Sequence, residues 1–81
     1  MVLKLKKSEA KVLVILNNLE HRFKYARYIS FKLNMDYAYL LGVLKAMHSK
    51  KWIHKIRREN KVFYQLNKSA PIIEANQRLI E

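Results

Sequence analysis

Six cations crowd one short stretch of this chain. Lys50, Lys51, Lys55, Arg57, Arg58 and Lys61 surround a single acid, Glu59. Between them stand aromatic and β-branched residues: Trp52, Ile53, Ile56, Val62, Phe63 and Tyr64. Cations raised on so stiff a frame are suited to gripping a polyanion. A guanidinium binds phosphate oxygens in pairs or enters a narrow groove, and both Arg57 and Arg58 could act in this way. The other reading of the pattern is an edge hairpin kept from aggregating by its charge. A looser group, Lys24, Arg27 and Lys32, lies upstream, with Tyr28 among them able to offer a hydroxyl to phosphate.

Catalytic chemistry finds no comparable grouping. Glu9, Glu20, Asp36, Glu59, Glu74 and Glu81 are scattered. The chain has no Gly-rich phosphate loop, no Cys-His pair and no serine elbow, so it does not read as an enzyme. Without cysteine there is neither a disulfide nor a thiolate site, which fits a reducing compartment. His21, His48 and His54 form no i, i+4 pair and lack a carboxylate to complete a ligand set. Neither a metal nor a small-molecule cofactor is expected.

The elements that must carry the cations are legible around them. Asp36 to Lys50 is the most regular periodic segment, with Leu40, Val43, Leu44 and Met47 recurring at helical spacing. Asp36 is the expected N-cap, its carboxylate accepting from the first exposed backbone N–H groups. Tyr25 to Leu33 reads as a shorter helix burying Ile29 and Leu33. Asn34 and Met35 alone join the two, and Asn tolerates the left-handed backbone that such a sharp corner needs. Two helices on so brief a turn make a helix-turn-helix. Next, Lys51–Arg57 and Lys61–Leu66 read as strands joined by Arg58-Glu59-Asn60, with Val62, Tyr64 and Leu66 on one face.

With Leu40, Leu44 and Met47 turned inward, the longer helix shows Ala38, Gly42, Lys45, Ala46 and Ser49 outward, with Tyr39 at the margin. Gly42 is the only glycine in the chain. A glycine inside a helix costs about 1 kcal/mol relative to alanine, which points to a close approach there. Either this face sits deep in a groove of DNA, or the Ala38/Gly42/Ala46 stripe accepts a helix of another protein. Few of these side chains can make paired hydrogen bonds to bases, so sequence specificity should be modest.

Two helices flank this unit. Ser8 is a plausible cap and Glu9 a favourable first-turn acid for a helix over 9–20, whose Val12, Leu13, Leu16 and Leu19 form a stripe widened by Val14 and Ile15. That breadth marks it as the central support of the core. Residues 1–7 alternate apolar and basic and fit an arm, an edge strand or a lead-in equally. At the other end Ser69 is expected to cap a helix over 70–80 with Pro71 in its first turn. Ile72, Ile73, Leu79 and Ile80 leave that helix apolar over more than one face. They are the expected dimerisation residues, the alternative being closure of the subunit's own core.

The order of these features resembles the winged helix-turn-helix DNA-binding domains across residues 8 to 67. The residues that carry the likeness are the Leu44-x-x-Met47 pair closing the second helix, Trp52-Ile53 opening the first wing strand, the basic wing tip and the Tyr64-x-Leu66 return. The resemblance implies an α+β, mainly α fold with a three-helix core, a β-hairpin wing and a C-terminal helix. Its segments are 9–20, 25–33, 36–50 (recognition helix), 51–66 (wing) and 70–80, in one domain spanning 1–81. It also implies a short third strand near Phe23, and a duplex-binding face. That face comprises Lys24, Arg27, Tyr28 and Lys32 on the first helix of the pair, Ala38, Tyr39, Gly42, Lys45 and Ser49 on the recognition helix, and Lys55, Arg57, Arg58 and Lys61 on the wing. Gly42 departs from the family, which usually places a hydrogen-bonding side chain in the middle of this helix.

Length and charge set the outer bounds. Eighty-one residues make one small domain, burying only about 60–65% of the surface of its unfolded chain, so a partner subunit would help. Seventeen Lys and Arg against six Asp and Glu give a net charge of +11. Nucleic acid or an anionic membrane is the usual partner of such an excess, and an aromatic-rich globular chain favours nucleic acid. A merely well-solvated surface, common in heat-adapted proteins, is the plainer account. No apolar run approaches the ~20 residues of a membrane span and no cleavable leader is visible, so a cytoplasmic, nucleoid-associated place is expected. The Lys-, Ile- and Tyr-rich, Cys-free character is similar to that of small archaeal or archaeal-virus regulators. The reading is a homodimeric transcription regulator binding double-stranded DNA. An architectural chromatin protein and a winged-helix interaction module of a larger complex are its rivals.

Overall fold

The computed structural model describes residues 5–80, so the expectations for residues 1–4, and Glu81, lie outside it. The order is α1 (Lys7–Asn18), a 3₁₀ turn (His21–Phe23), α2 (Ala26–Leu33), α3 (Tyr37–Ser49), β1 (Ile53–Arg58), β2 (Lys61–Leu66) and α4 (Ile72–Ile80). α1 is the hub. It packs against α2, α3, β2 and α4, burying Ala10, Val12, Leu13 and Leu16 completely. Its broad apolar stripe is needed because it faces neighbours on several sides.

α1 begins two residues before the expected start, and Ser8 does not cap it. Glu9 does that work from inside the first turn: its Oε1 accepts the Lys6 backbone N–H at 3.1 Å. The helix closes at Asn18 rather than Glu20, where Asn18 Nδ2 donates to the Val14 carbonyl at 2.8 Å. Local polar side chains thus compete with the backbone at both ends.

The corner between α2 and α3 is built as its residues suggest. Asn34 is left-handed (φ 51°, ψ 47°) and its N–H bonds the Phe31 carbonyl. Asp36 caps α3 by accepting the Tyr39 N–H at 3.1 Å. The buried face of α3 is Leu40, Val43, Leu44 and Met47, and α2 contributes Ala26 and Ile29.

The wing differs in detail. Lys51 and Trp52 are not strand. Lys51 takes a left-handed conformation (φ 63°) just past α3, and the Trp52 N–H returns to the Met47 carbonyl at 3.1 Å, a helix-ending arrangement. β1 and β2 pair antiparallel from Ile53↔Leu66 to Arg58↔Lys61. The link between them is two residues, Glu59 and Asn60, both with positive φ (47° and 69°), as the twist of a tight hairpin demands. Phe23 does not supply the third strand, because residues 21–23 close into the 3₁₀ turn. Tyr25 makes the bridge instead, opposite Phe63, and the Tyr64 N–H donates to the Lys24 carbonyl at 2.7 Å.

Ser69 does not cap α4 either. Its hydroxyl donates to the Lys51 carbonyl at 2.6 Å, and Asn67 Nδ2 reaches the same oxygen at 2.9 Å. α4 therefore starts at Ile72, with the Pro71 carbonyl accepting the Ala75 N–H. Ile72 and Leu79, two of the four expected dimerisation residues, pack partly buried on the chain's own core. Only Ile73 and Ile80, 71% and 84% exposed, remain outward.

Candidate nucleic-acid interface

The outward face of α3 follows from its register. Ala38, Tyr39, Gly42, Lys45, Ala46 and Ser49 are all exposed. A Cβ built on Gly42 would meet nothing within 4 Å, so no contact among the described residues requires a glycine there. Tyr37 and Leu41, which sequence reasoning did not single out, are also partly exposed, and they face the wing rather than the outer edge.

The wing cations do not act as one group. Strand pleating sends alternate residues to opposite faces. Lys55 and Arg57 pair across the hairpin with Tyr64 and Val62, on the core-facing side. Arg58 instead lies with Ile56 and Phe63 on the outer face, lining an apolar notch with His21 and Arg22. Lys61 turns toward α2 and sits 5.2 Å from the centre of the Tyr25 ring. Lys50, counted with the wing cations in the sequence, is already committed. Its Nζ pairs with Glu9 Oε2 at 2.7 Å and lies 4.5 Å from the Trp52 ring centre.

The α2 group divides as well. Arg27 reaches toward α3, its guanidinium carbon 4.8 Å from the centre of the Tyr37 ring. Tyr28 is half-buried and stacks on Phe23 with ring centres 4.7 Å apart, and Lys32 Nζ lies 5.9 Å from the centre of the Tyr28 ring. Lys24 is half-buried, with its carbonyl tied to Tyr64. Arg27, Lys61 and the wing turn are brought together. Tyr28 and Lys32 form part of an aromatic surface along α2 that continues to exposed Phe31.

The convergence creates one groove, of about 610 Å³, between α3 and the wing. It is lined by Tyr25 and Arg27 from the start of α2, Tyr37 and Leu41 from α3, and Asn60, Lys61, Val62 and Tyr64 from the wing. Arg27 and Lys61 have no carboxylate partner among the described residues. The alternating pattern at Tyr37-Ala38-Tyr39, straight after a capping Asp36, was the available signal for Tyr37. Tyr25 and Asn60 had none, since their place depends on the hairpin folding back.

In the groove, burial pushes the Tyr64 phenol above its ordinary value of 10.0, and neighbouring Tyr37 adds to the rise. A group whose pKa is higher folded than unfolded contributes stability below the unfolded value and loses it as pH climbs through the folded one. The fold should therefore weaken above about pH 10. In Tyr64→Phe, urea midpoints measured from pH 8 to 11 should fall less steeply than in the parent; an equal slope would reject the assignment.

Among the described residues no helix is long and apolar enough to cross a membrane, and no three His, Asp or Glu side chains are grouped to hold a metal ion. No family model and no curated protein matches the chain. Solved structures do. ZitR from Lactococcus lactis, a zinc-responsive MarR family member, superposes with a TM-score of 0.79 at 21% identity, over 96% of this chain and 55% of that one. Wild-type ZitR in complex with DNA gives 0.76 at 20% identity, over 96% and 54%. The adhesin competence repressor AdcR from Streptococcus pyogenes gives 0.78 at 14% identity, over 95% and 59%. The chain spans little more than half the length of these proteins. At such identities the likeness establishes the fold: this is a winged helix, mainly helical, with a two-stranded wing. The archaeal likeness stays with the sequence, as the structures named here come from other sources.

Proposed function

We propose that this chain binds double-stranded DNA as a transcription regulator, with α3 in the major groove, the wing on flanking phosphates or the minor groove, and no catalytic role. The observation that carries the reading is the groove shared by α2, α3 and the wing, lined by Arg27 and Lys61, which have no carboxylate partner among the described residues. The net charge of +11 supplies the long-range attraction. The same fold holds DNA in the ZitR complexes. Lys45, Ser49 and Tyr39 are the proposed groove contacts of α3; Lys55, Arg57, Arg58 and Lys61 are those of the wing. Lys24, Tyr28 and Lys32 are secondary contacts on the backbone side. Homodimerisation through Ile73 and Ile80 and a cytoplasmic site of action complete the proposal.

Binding measured at two salt concentrations tests it. With about six phosphate contacts, log K should fall against log salt with a slope near −5 on any duplex. A regulator should also prefer its selected operator by at least ~10³-fold over random duplex. A steep slope without that preference would establish the architectural reading, which the scarcity of hydrogen-bonding side chains on α3 keeps in view.

Gly42→Leu separates DNA contact from protein contact on the same helix. The open space around Gly42 predicts a variant that folds, more stable by roughly 1 kcal/mol from helix propensity alone. Duplex affinity should nonetheless drop at least tenfold while self-association, followed by sedimentation, stays unchanged. The opposite pattern would assign the Ala38/Gly42/Ala46 stripe to a protein partner.

A further inference from the structure

The groove between α3 and the wing has a construction that a generic basic surface lacks. Each of its two cations is parked on a ring: Arg27 on Tyr37, at 4.8 Å, and Lys61 on Tyr25, at 5.2 Å. One pair joins α2 to the first residue of α3, and the other joins the residue that caps α2 to the start of β2; all four residues line the groove. A ring face attracts a cation without accepting its hydrogen bonds in full, so the guanidinium and ammonium donors stay available. Restricting these long side chains in advance lowers the entropy lost when they engage a ligand. Leu41 and Val62, which line the same groove, are apolar. An occupant must therefore present negative charge to both cations and apolar surface as well, along an open groove. A phosphodiester strand does both, with regularly spaced phosphates and sugars between them.

We infer that Tyr37 and Tyr25 are positioning residues that set Arg27 and Lys61 as a two-point clamp on a single phosphodiester strand, the one passing between α3 and the wing. The inference rests on the duplex-binding reading of that face and adds to it a defined seat for one strand. Arg27 and Lys61 touch phosphate, whereas the two tyrosines act through them.

The experiment uses the full chain and a 20-base-pair duplex, with fluorescence anisotropy at several salt concentrations. Arg27→Gln and Lys61→Gln should each flatten the log–log slope by about 0.9, one phosphate contact apiece. Tyr37→Phe keeps the ring and should bind as the parent does. Tyr37→Leu removes the ring and should weaken binding about two- to fivefold. The deciding variant is the double, Arg27→Gln with Tyr37→Leu, which should bind no worse than Arg27→Gln alone, because Tyr37 has nothing left to position. A simply structural Tyr37 would give additive losses and lower thermal midpoints, and that result overturns the clamp. So does an unchanged slope in both cation variants while the parent binds steeply, though the duplex-binding reading survives it. A parent that shows no salt-dependent duplex binding removes both.

Discussion

Replacing Arg57, Arg58 and Lys61 together by glutamine should cost about 10²- to 10³-fold in duplex affinity near 0.1 M salt. The size follows from counterion release: each phosphate contact contributes about 0.9 to the log–log slope, and so about 0.9 in log K at that salt concentration. Three lost contacts give roughly 2.7 log units, and the slope should relax from near −5 to between −2 and −3. All three residues are exposed at the hairpin tip, so the thermal midpoint should hardly move. Arg57 lies beside Val62, which lines the groove, and Lys61 lines the groove too, reaching the Tyr25 ring; Arg58, the cross-strand partner of Lys61, lines the notch on the other face. Single variants should then differ: Arg57→Gln and Lys61→Gln, at the groove, should account for most of the loss, and Arg58→Gln for less. An unaltered slope in the triple variant would remove the wing from the interface, and with it the proposed orientation on DNA.

That arithmetic depends on features the sequence made visible only in part. The helix-turn-helix was readable because its determinants are local. Asn34 tolerates a left-handed corner, Asp36 reaches its own helix, and Leu40, Val43, Leu44 and Met47 repeat at one spacing. The hairpin was readable in type but not in register. Glu59 and Asn60 both take positive φ, so Arg58 joins the strand and the loop shortens from three residues to two. The ends of α1 were displaced by local side chains, Glu9 and Asn18, whereas two other misreadings come from a polar side chain with a distant partner. Ser69 prefers the Lys51 carbonyl, eighteen residues back, to the start of α4. Lys50 leaves the wing for Glu9, forty-one residues away. Ile72 and Leu79 spend their apolar surface on the core, for which α4's periodicity alone offered no criterion. The candidate site was legible as charge but not as geometry. Arg27 and Lys61 were recognisable as cations, while the Tyr37 seat arises only when α3 folds against α2, and the Tyr25 seat only when β2 returns beside it.

The Glu9–Lys50 pair is where nonlocal chemistry should weigh most on stability, and its two ends are not equivalent. The Glu9 side chain is only 3% exposed, with one oxygen on the Lys6 N–H and the other on Lys50, whereas Lys50 is 42% exposed. Removing the lysine strands a carboxylate in the interior with half its partners gone. Removing the glutamate frees an ammonium that can turn to water. Lys50→Met should therefore destabilise by about 3 kcal/mol, at the lower end of values for breaking a buried pair, and Glu9→Gln by about 1 to 2 kcal/mol. In a domain of this size the first should lower the thermal midpoint by at least ~12 °C. The double variant, Glu9→Gln with Lys50→Met, should recover part of the loss, since no buried charge remains unpaired. Because the pair ties the first turn of α1 to the residue that ends α3, Lys50→Met should also loosen the end of α3. Faster amide exchange at Met47 to Trp52 than in α1 would show it. Equal destabilisation by the two single variants would mean that solvent reaches Glu9, and that the pair is an ordinary surface contact.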